Sequence, residues 1–469
     1  MEIELGCKIK QGPQDWQIYQ MNEDDFANIS LSGTWALPDN APGQVMLRVV
    51  NEETHEAVFS QTEWQKADII QGNTWKTILK VPAGGLYRIE TCILEKTESK
   101  ETLPDSNMIE WAFRGDFIHH IGVGDLWVIA GQSNAAGYGR GPVNDAPEIG
   151  VHILRNEEKW DIASHPLNDT RNNKHPNCEG PNPGHSPFLM FAKLLKKSFG
   201  YPIGLIQTSL GGSPLSAWNP VENPSAPLYK NMFHCINLSG GKIKGICWYQ
   251  GESDACEGLA ETYKTRFIQF VEKTRQDLNS PELPFITVQL NKFHQINSSQ
   301  DKYWSIIKET QRIIPHILKN VAVIPAIDLP LSDLIHTSPS GNLILGQRFA
   351  NAALGMVYKK DINYLFPEIK SSNLKENGKS VILKFENVRY RLNSDLPFCD
   401  NFVVEDKDGV AAIEKAEFIS NSEIALTLKR KIFGEAYIHY GYGLNPTTNI
   451  YEVITNKPLL CFYGFKMDF

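Results

Sequence analysis

Four short stretches of this sequence carry groups suited to acyl transfer. The first is Gly131-Gln132-Ser133-Asn134, where the apolar run Leu-Trp-Val-Ile-Ala (126–130) stops abruptly. Ser133 is followed by Ala135, Ala136 and Gly137, small residues that let backbone amides approach a ligand. A serine hydroxyl is a weak nucleophile until a base sits beside it. In Ser-Asp-Leu-Ile-His (332–336), Asp333 and His336 stand three apart after the apolar run 321–327. One helical turn would place them side by side, the carboxylate taking the Nδ1 proton and leaving Nε2 to receive one from a serine. The plain alternative is a loop histidine beside a capping aspartate.

The other two stretches offer partners for such a pair. Gly211-Gly212 follows Ile-Gln-Thr-Ser (206–209), and bare N–H groups there could face a developing oxyanion. A tight turn needing positive φ would also use this Gly-Gly. Gln250 and Glu252, in Trp-Tyr-Gln-Gly-Glu-Ser (248–253), offer an amide donor and a second carboxylate. Each signal is weak alone. Together they supply a nucleophile, oxyanion donors and an acid–base pair, which points to a hydrolase.

The elements that must hold these groups read as follows. Over about 122–362, strand-like runs (126–131, 202–209, 244–250, 284–290, 321–327) alternate with helical ones (187–199, 261–278, 303–317, 342–358). In 261–278, Tyr263, Phe267, Phe270 and Val271 recur near helical period. This alternation predicts a parallel sheet covered by helices, with all four stretches at strand ends along one edge. Short strand-like runs at 44–50, 56–61, 74–81 and 86–93, separated by Gly/Pro/Asn breaks, predict a small β-sandwich before it. Runs at 380–387, 402–409, 423–429 and 435–443 predict a second β region after it. The expected organisation is a multidomain α/β chain: an N-terminal β domain (1–121), a central α/β/α domain (122–365) and a C-terminal β domain (366–469).

Bulk properties narrow the function classes. A chain of 469 residues exceeds a single core. A net charge of −8 disfavours nucleic acid or an anionic membrane as partner. No apolar run approaches the roughly 18–20 residues of a spanning helix, and the N-terminus lacks the apolar stretch of a signal peptide. The eight cysteines are scattered rather than arranged as a disulfide framework.

The stretches Gly-Gln-Ser-Asn, Leu-Gly-Gly-Ser-Pro-Leu-Ser-Ala-Trp, Trp-Tyr-Gln-Gly-Glu-Ser-Asp and Asp-Leu-Ile-His resemble the four blocks of the SGNH hydrolase superfamily, in the form found in the sialate O-acetylesterase family. The segments 81–91 and 436–462 resemble that family as well. The resemblance implies an SGNH-type central domain, Ser133 as nucleophile and His336 as general base. It also implies an oxyanion hole from the Ser133 amide, Gly212 and the Gln250 side chain. The expected reaction is removal of an O-acetyl group from a carbohydrate, with no metal or organic cofactor. Asp333 is the favoured triad acid because local spacing alone delivers it to His336. Glu252 is the alternative, since related esterases use the Glu of Gln-Gly-Glu. The residues after the histidine, Thr337-Ser338-Pro339, depart from the family's usual continuation.

Asn134, Arg140, Trp218 and Trp248 are expected substrate contacts: the indoles by stacking on a sugar, Arg140 by pairing with a sialic acid carboxylate. His165, His175, Cys178 and His185 invite a zinc reading, but their spacing matches no standard site. A long loop lining the substrate groove is the better expectation for them. Rival functions are a non-catalytic carbohydrate-binding protein and an esterase for longer acyl chains. The resemblance implies a periplasmic or secreted protein whose leader is absent from this sequence; otherwise a cytoplasmic one is expected. Oligomeric state and the identity of the sugar are not encoded in these patterns.

Overall fold

The computed structural model describes residues 4–58, 64–95, 113–175, 184–295 and 298–468. At its centre lies a sheet whose strands run in the order 160–162, 151–154, 203–207, 125–131, 245–249, 285–289 and 321–325. All neighbours pair in parallel except the 160–162 edge strand. Strands Ile203–Gln207, Gly245–Tyr249 and Phe285–Gln289 are buried at every position. Such continuous apolar strands require cover on both faces.

Helices provide that cover: α1 (Ser133–Ala136), α2 (Phe188–Phe199), α3 (Pro227–Leu238), α4 (Leu259–Asp277), α5 (Ser298–Ile317) and α6 (Pro339–Ala352). The apolar stripe expected on α4 is buried, with Tyr263, Phe267, Phe270 and Val271 all turned inward. No helix among the described residues is long and apolar enough to cross a membrane.

The N-terminal region forms a four-stranded antiparallel sheet from 6–11, 26–36, 74–82 and 68–71. It packs against a second layer built from Gly43–Asn51, Gly84–Glu95 and the start of strand Phe113–Gly131. Ile29, Leu31, Val45, Leu47, Trp75 and Ile89 fill the space between the layers. Of the expected strand 56–61, residues 59–61 lie outside the described residues, and Ala57 makes only an isolated bridge to Val50.

The 19-residue strand Phe113–Gly131 joins the two regions. Its first half pairs antiparallel with 84–93, and its second half lies parallel between 203–207 and 245–249. The boundary expected at 121/122 therefore falls inside one continuous strand. Beyond α6, two four-stranded antiparallel sheets enclose Val381, Leu383, Val404, Leu426 and Ile438, beside a small three-stranded sheet. Fully buried Lys308 on α5 docks this region, donating to Gly441 O and Gly443 O. Gln289 adds two hydrogen bonds to the Cys461 backbone. The seven cysteines among the described residues are all free; Cys178 lies outside them.

Candidate active site

Gly131 explains the abrupt stop that precedes Ser133. Its φ is +124°, and a Cβ there would meet Tyr249 O at 2.1 Å. Only glycine permits this approach, after which Gln132 N donates to Tyr249 O at 2.9 Å. Helix α1 begins at once and closes after one turn, where Gly137 N donates to Ser133 O. The first amides of a helix have no intrahelical acceptor. Those of Ser133 and Asn134 have no backbone partner among the described residues. Ser133 is 8% exposed, at the rim of the sheet.

The segment 331–337 is a closed loop rather than the helical turn expected from the sequence. Leu331 and Thr337 form an isolated bridge, and Ser332 N donates to His336 O. Asp333 organises the loop: Oδ1 accepts the N–H of Ile335 (2.9 Å) and of His336 (2.8 Å). Its Oδ2 stands 2.7 Å from His336 Nδ1. The aspartate is thus both the capping residue of the plain reading and the partner of the imidazole. Partial burial pushes its pKa up, but these N–H groups and the imidazole outweigh that and hold it below the ordinary carboxylate value. With Nδ1 engaged, Nε2 is the nitrogen left to exchange a proton. The Tyr138 ring stacks on the imidazole with centroids 4.8 Å apart.

Asn134 joins this loop to the serine. Its Oδ1 accepts Thr337 N at 3.0 Å, and its Nδ2 donates to Ile335 O at 3.4 Å. The residue after Ser133 therefore grips the backbone on both sides of His336. The same Nδ2 donates to Glu252 Oε1 at 2.9 Å. Two expectations change here. Asn134 is 4% exposed with both ends of its amide engaged, so it supports the site instead of touching substrate. Glu252, the alternative acid, bonds Asn134, whereas Asp333 bonds His336.

The Gly-Gly turn lies against the nucleophile turn. Leu210 N donates to Gly131 O at 3.1 Å, and Ser213 Oγ donates to Leu210 O at 2.8 Å. Gly212 is exposed at φ +65°, and its N–H has no backbone partner among the described residues. Gln250 departs from expectation. It is fully buried, and its Nε2 donates to Asp254 Oδ2 (2.6 Å) and Ser213 O (3.2 Å). Tyr263 OH fills its Oε1 at 2.8 Å. Both amide hydrogens are spent, which leaves none for an oxyanion. Gln250 instead ties the Gly-Gly turn to the 250–254 segment, where Arg266 neutralises Asp254 at 2.8 Å.

Trp218 and Trp248 also depart from expectation. Both are fully buried and pack edge to face at 5.3 Å, with Trp218 Nε1 donating to Ser213 Oγ. They are core and cannot stack on a sugar. Arg140 is exposed on a cavity of about 410 Å³ that Gly139, Asp145, His165 and His185 also line. Gly139 pairs with His185, whose carbonyl accepts Asn342 Nδ2 at the start of α6.

The zinc reading needs regrouping. His175 faces Cys235 at 3.8 Å, away from the others, and Cys178 lies outside the described residues. His165 and His185 stack at 3.9 Å and both direct Nε2 to Asp145 Oδ2, at 2.9 and 3.0 Å. Three ligand-capable groups thus converge. Lys193 Nζ, however, already sits 2.5 Å from Asp145 Oδ1.

Sequence reasoning missed the role of Asn134, the Tyr138 stack and the Asp254–Arg266 pair behind Gln250. A signal existed only for the first: a short amide next to the nucleophile can bridge at both ends.

Residues 123–355 match the family described as carbohydrate esterase, sialic acid-specific acetylesterase. A probable carbohydrate esterase of Arabidopsis thaliana is 29% identical over 255 residues, which is 49% of this chain and 90% of that protein. Human sialate O-acetylesterase is 26% identical over 232 residues, 40% of this chain and 43% of that protein, so the match spans less than half of the human enzyme. A solved carbohydrate acetylesterase of Xanthomonas citri shares the fold over 97% of this chain and 98% of its own, with a TM-score of 0.67 at 20% identity. Through residues 123–355 the chain is similar to the carbohydrate esterase family of sialic acid-specific acetylesterases.

Proposed function

We propose that the protein is a serine esterase that removes O-acetyl groups from a carbohydrate. The observation that carries this reading is the Asp333–His336 pair, tied by Asn134 to the turn that presents Ser133. His336 Nε2 takes the proton of Ser133 Oγ as that oxygen attacks the acetyl carbonyl. Asp333 holds the imidazole in the required tautomer and balances the imidazolium that forms. The main-chain amides of Ser133 and Gly212 face the developing oxyanion, without help from Gln250. Collapse releases the sugar oxygen with the proton from His336, leaving an acetyl-enzyme. Water activated by the same imidazole then frees acetate and restores Ser133.

An acetylated sugar fits better than a long acyl chain. The cavity that Arg140 borders carries Asp145, His165 and His185 beside the apolar Pro142 and Val143, and its charged groups suit a sugar better than an acyl chain. Sialic acid is one candidate, because Arg140 could meet its carboxylate.

The test is acetate release from acetylated glycans, including 9-O-acetyl sialic acid and acetyl-xylan, by wild type and Ser133→Ala. The variant should lose about 10⁶-fold in kcat. Wild-type rates in Ser133→Ala would reject the mechanism, and a chain-length series peaking above butyrate would reject the acetyl assignment.

A further inference from the structure

Behind the Ser133–His336 pair lies a carboxyl group that the mechanism does not use. Glu252 accepts from Asn134 Nδ2 through Oε1, while its Oε2 is buried with no hydrogen-bond partner among the described residues. It begins the short helical turn Glu252–Asp254 that follows the buried strand Gly245–Tyr249. Gln132 Oε1 accepts the N–H of Ser253 at 3.2 Å, so this turn is fastened to the nucleophile turn as well.

We propose that Glu252 is a positioning residue for His336, acting through Asn134 and holding the histidine loop more firmly when ionised than when protonated. The proposal rests on the reading of Ser133 and His336 given above. A carboxylate accepts an amide hydrogen more strongly than a neutral acid does. Ionised Glu252 therefore fixes Asn134 Nδ2, and with it the amide that grips Ile335 O and Thr337 N. A shift of about 1 Å at His336 would weaken proton transfer without removing any catalytic group.

The surroundings let this acid change charge near neutrality. Burial raises the Glu252 pKa to about 7, opposed by the Asn134 hydrogen bond, while the nearby Asp254 charge raises it further. Asp254 is itself balanced by Arg266. The other titratable groups close enough to interact are the buried phenols of Tyr249 and Tyr263, both pushed well above their ordinary range. Asp333, across the loop, is engaged with His336.

The experiment measures kcat and KM from pH 5 to 9 for wild type, Glu252→Gln, Asn134→Ala and the double variant. Glu252→Gln keeps the shape and an oxygen acceptor but cannot ionise. It should lower kcat about tenfold at pH 8 with KM nearly unchanged. The acid limb of kcat should reflect two protons in wild type and one in Glu252→Gln. The Asn134→Ala loss should not add to that of Glu252→Gln, because the two act in series. An unchanged limb in Glu252→Gln, or additive losses, would overturn the proposal. The wild-type limb alone tests it should a variant fail to fold: a single-proton limb counts against it. Labelling of Ser133 by a serine-directed phosphonate separates the two levels. No labelling in wild type would refute the esterase reading, whereas labelling with an unaltered Glu252→Gln profile would refute only this inference.

Discussion

Two aspartate–histidine groups lie among the described residues of the central domain, and they are built differently. In the 331–337 loop, Asp333 has a side-chain exposure of 39%, is held by main-chain N–H groups and faces one imidazole. Near the Arg140 cavity, Asp145 is 1% exposed and faces two imidazoles and a lysine. A general base needs one nitrogen open to its proton donor, and a carboxylate with no fixed cation competing for it. Asp333–His336 meets both conditions. At Asp145 the Lys193 ammonium already balances the charge, and both Nε2 atoms point into the cluster. An aspartate beside a histidine is therefore not enough. Under the proposed mechanism, what separates a reactive pair from a structural one is which nitrogen is left over and what else neutralises the acid.

The sharpest way to break this contrast is to swap each aspartate for asparagine. In Asp333→Asn the side-chain oxygen can still cap the loop, but the amide offers an N–H to His336 Nδ1. That favours the tautomer with the proton on Nε2, which cannot act as a base. The expected loss is about 10²–10⁴-fold in kcat, with little change in KM or melting temperature. Retention of activity within about fivefold would remove Asp333 from the triad.

Asp145→Asn should do the reverse. It leaves the Lys193 ammonium facing a neutral amide in a largely buried place, at a cost of about 3 kcal/mol. The kcat at 25 °C should stay within a few-fold of wild type, any loss falling on KM because Asp145 lines the cavity beside Arg140. The pH dependence has a definite sign. Burial pushes the Asp145 pKa up, but His165, His185 and Lys193 outweigh it and hold the carboxyl far below its ordinary range. An acid depressed in the folded state contributes stability above its unfolded pKa, near 3.9, and loses it as pH falls further. Denaturant titrations at pH 7 and pH 3 should therefore show the gap between wild type and Asp145→Asn narrowing at the lower pH. A constant gap would mean that the carboxylate's charge is not what stabilises the cluster.

How far the sequence reveals this arrangement depends on the kind of contact. That Ser133 stands at a strand end, Gly212 in a turn and Asp333 against His336 is legible, because each placement depends on local geometry. Gln250 is not, because its two hydrogens go to Asp254 and Ser213, and only the folded chain brings Ser213 there. Trp218 and Trp248 flank the reactive blocks in sequence, yet a parallel sheet is covered on both faces and draws them into the core. The domain boundary fails for a related reason. In the fold one strand runs through 113–131, whereas the apolar run that announces it in the sequence begins only at Leu126, so nothing marks where one sheet partner gives way to another.

The finest test of the contrast asks whether Lys193 alone keeps the second cluster from being a metal site. Two imidazole nitrogens and one carboxylate oxygen all lie within 4.8 Å of one another, which suits a zinc ion with a solvent ligand. A divalent ion on Asp145 Oδ2 would stand close to the Lys193 ammonium on Oδ1, and like charges there repel strongly in a partly dry setting. Lys193→Met keeps the aliphatic stem and removes the charge. Zinc at about ten times its dissociation constant would then stabilise the fold by about 1.4 kcal/mol. Thermal melts with and without zinc at pH 7.5 should shift upward in Lys193→Met and stay unchanged in wild type. A shift in wild type would show that the ammonium gives way to the ion. No shift in either would show that the two stacked imidazoles cannot turn their Nε2 lone pairs toward a common centre.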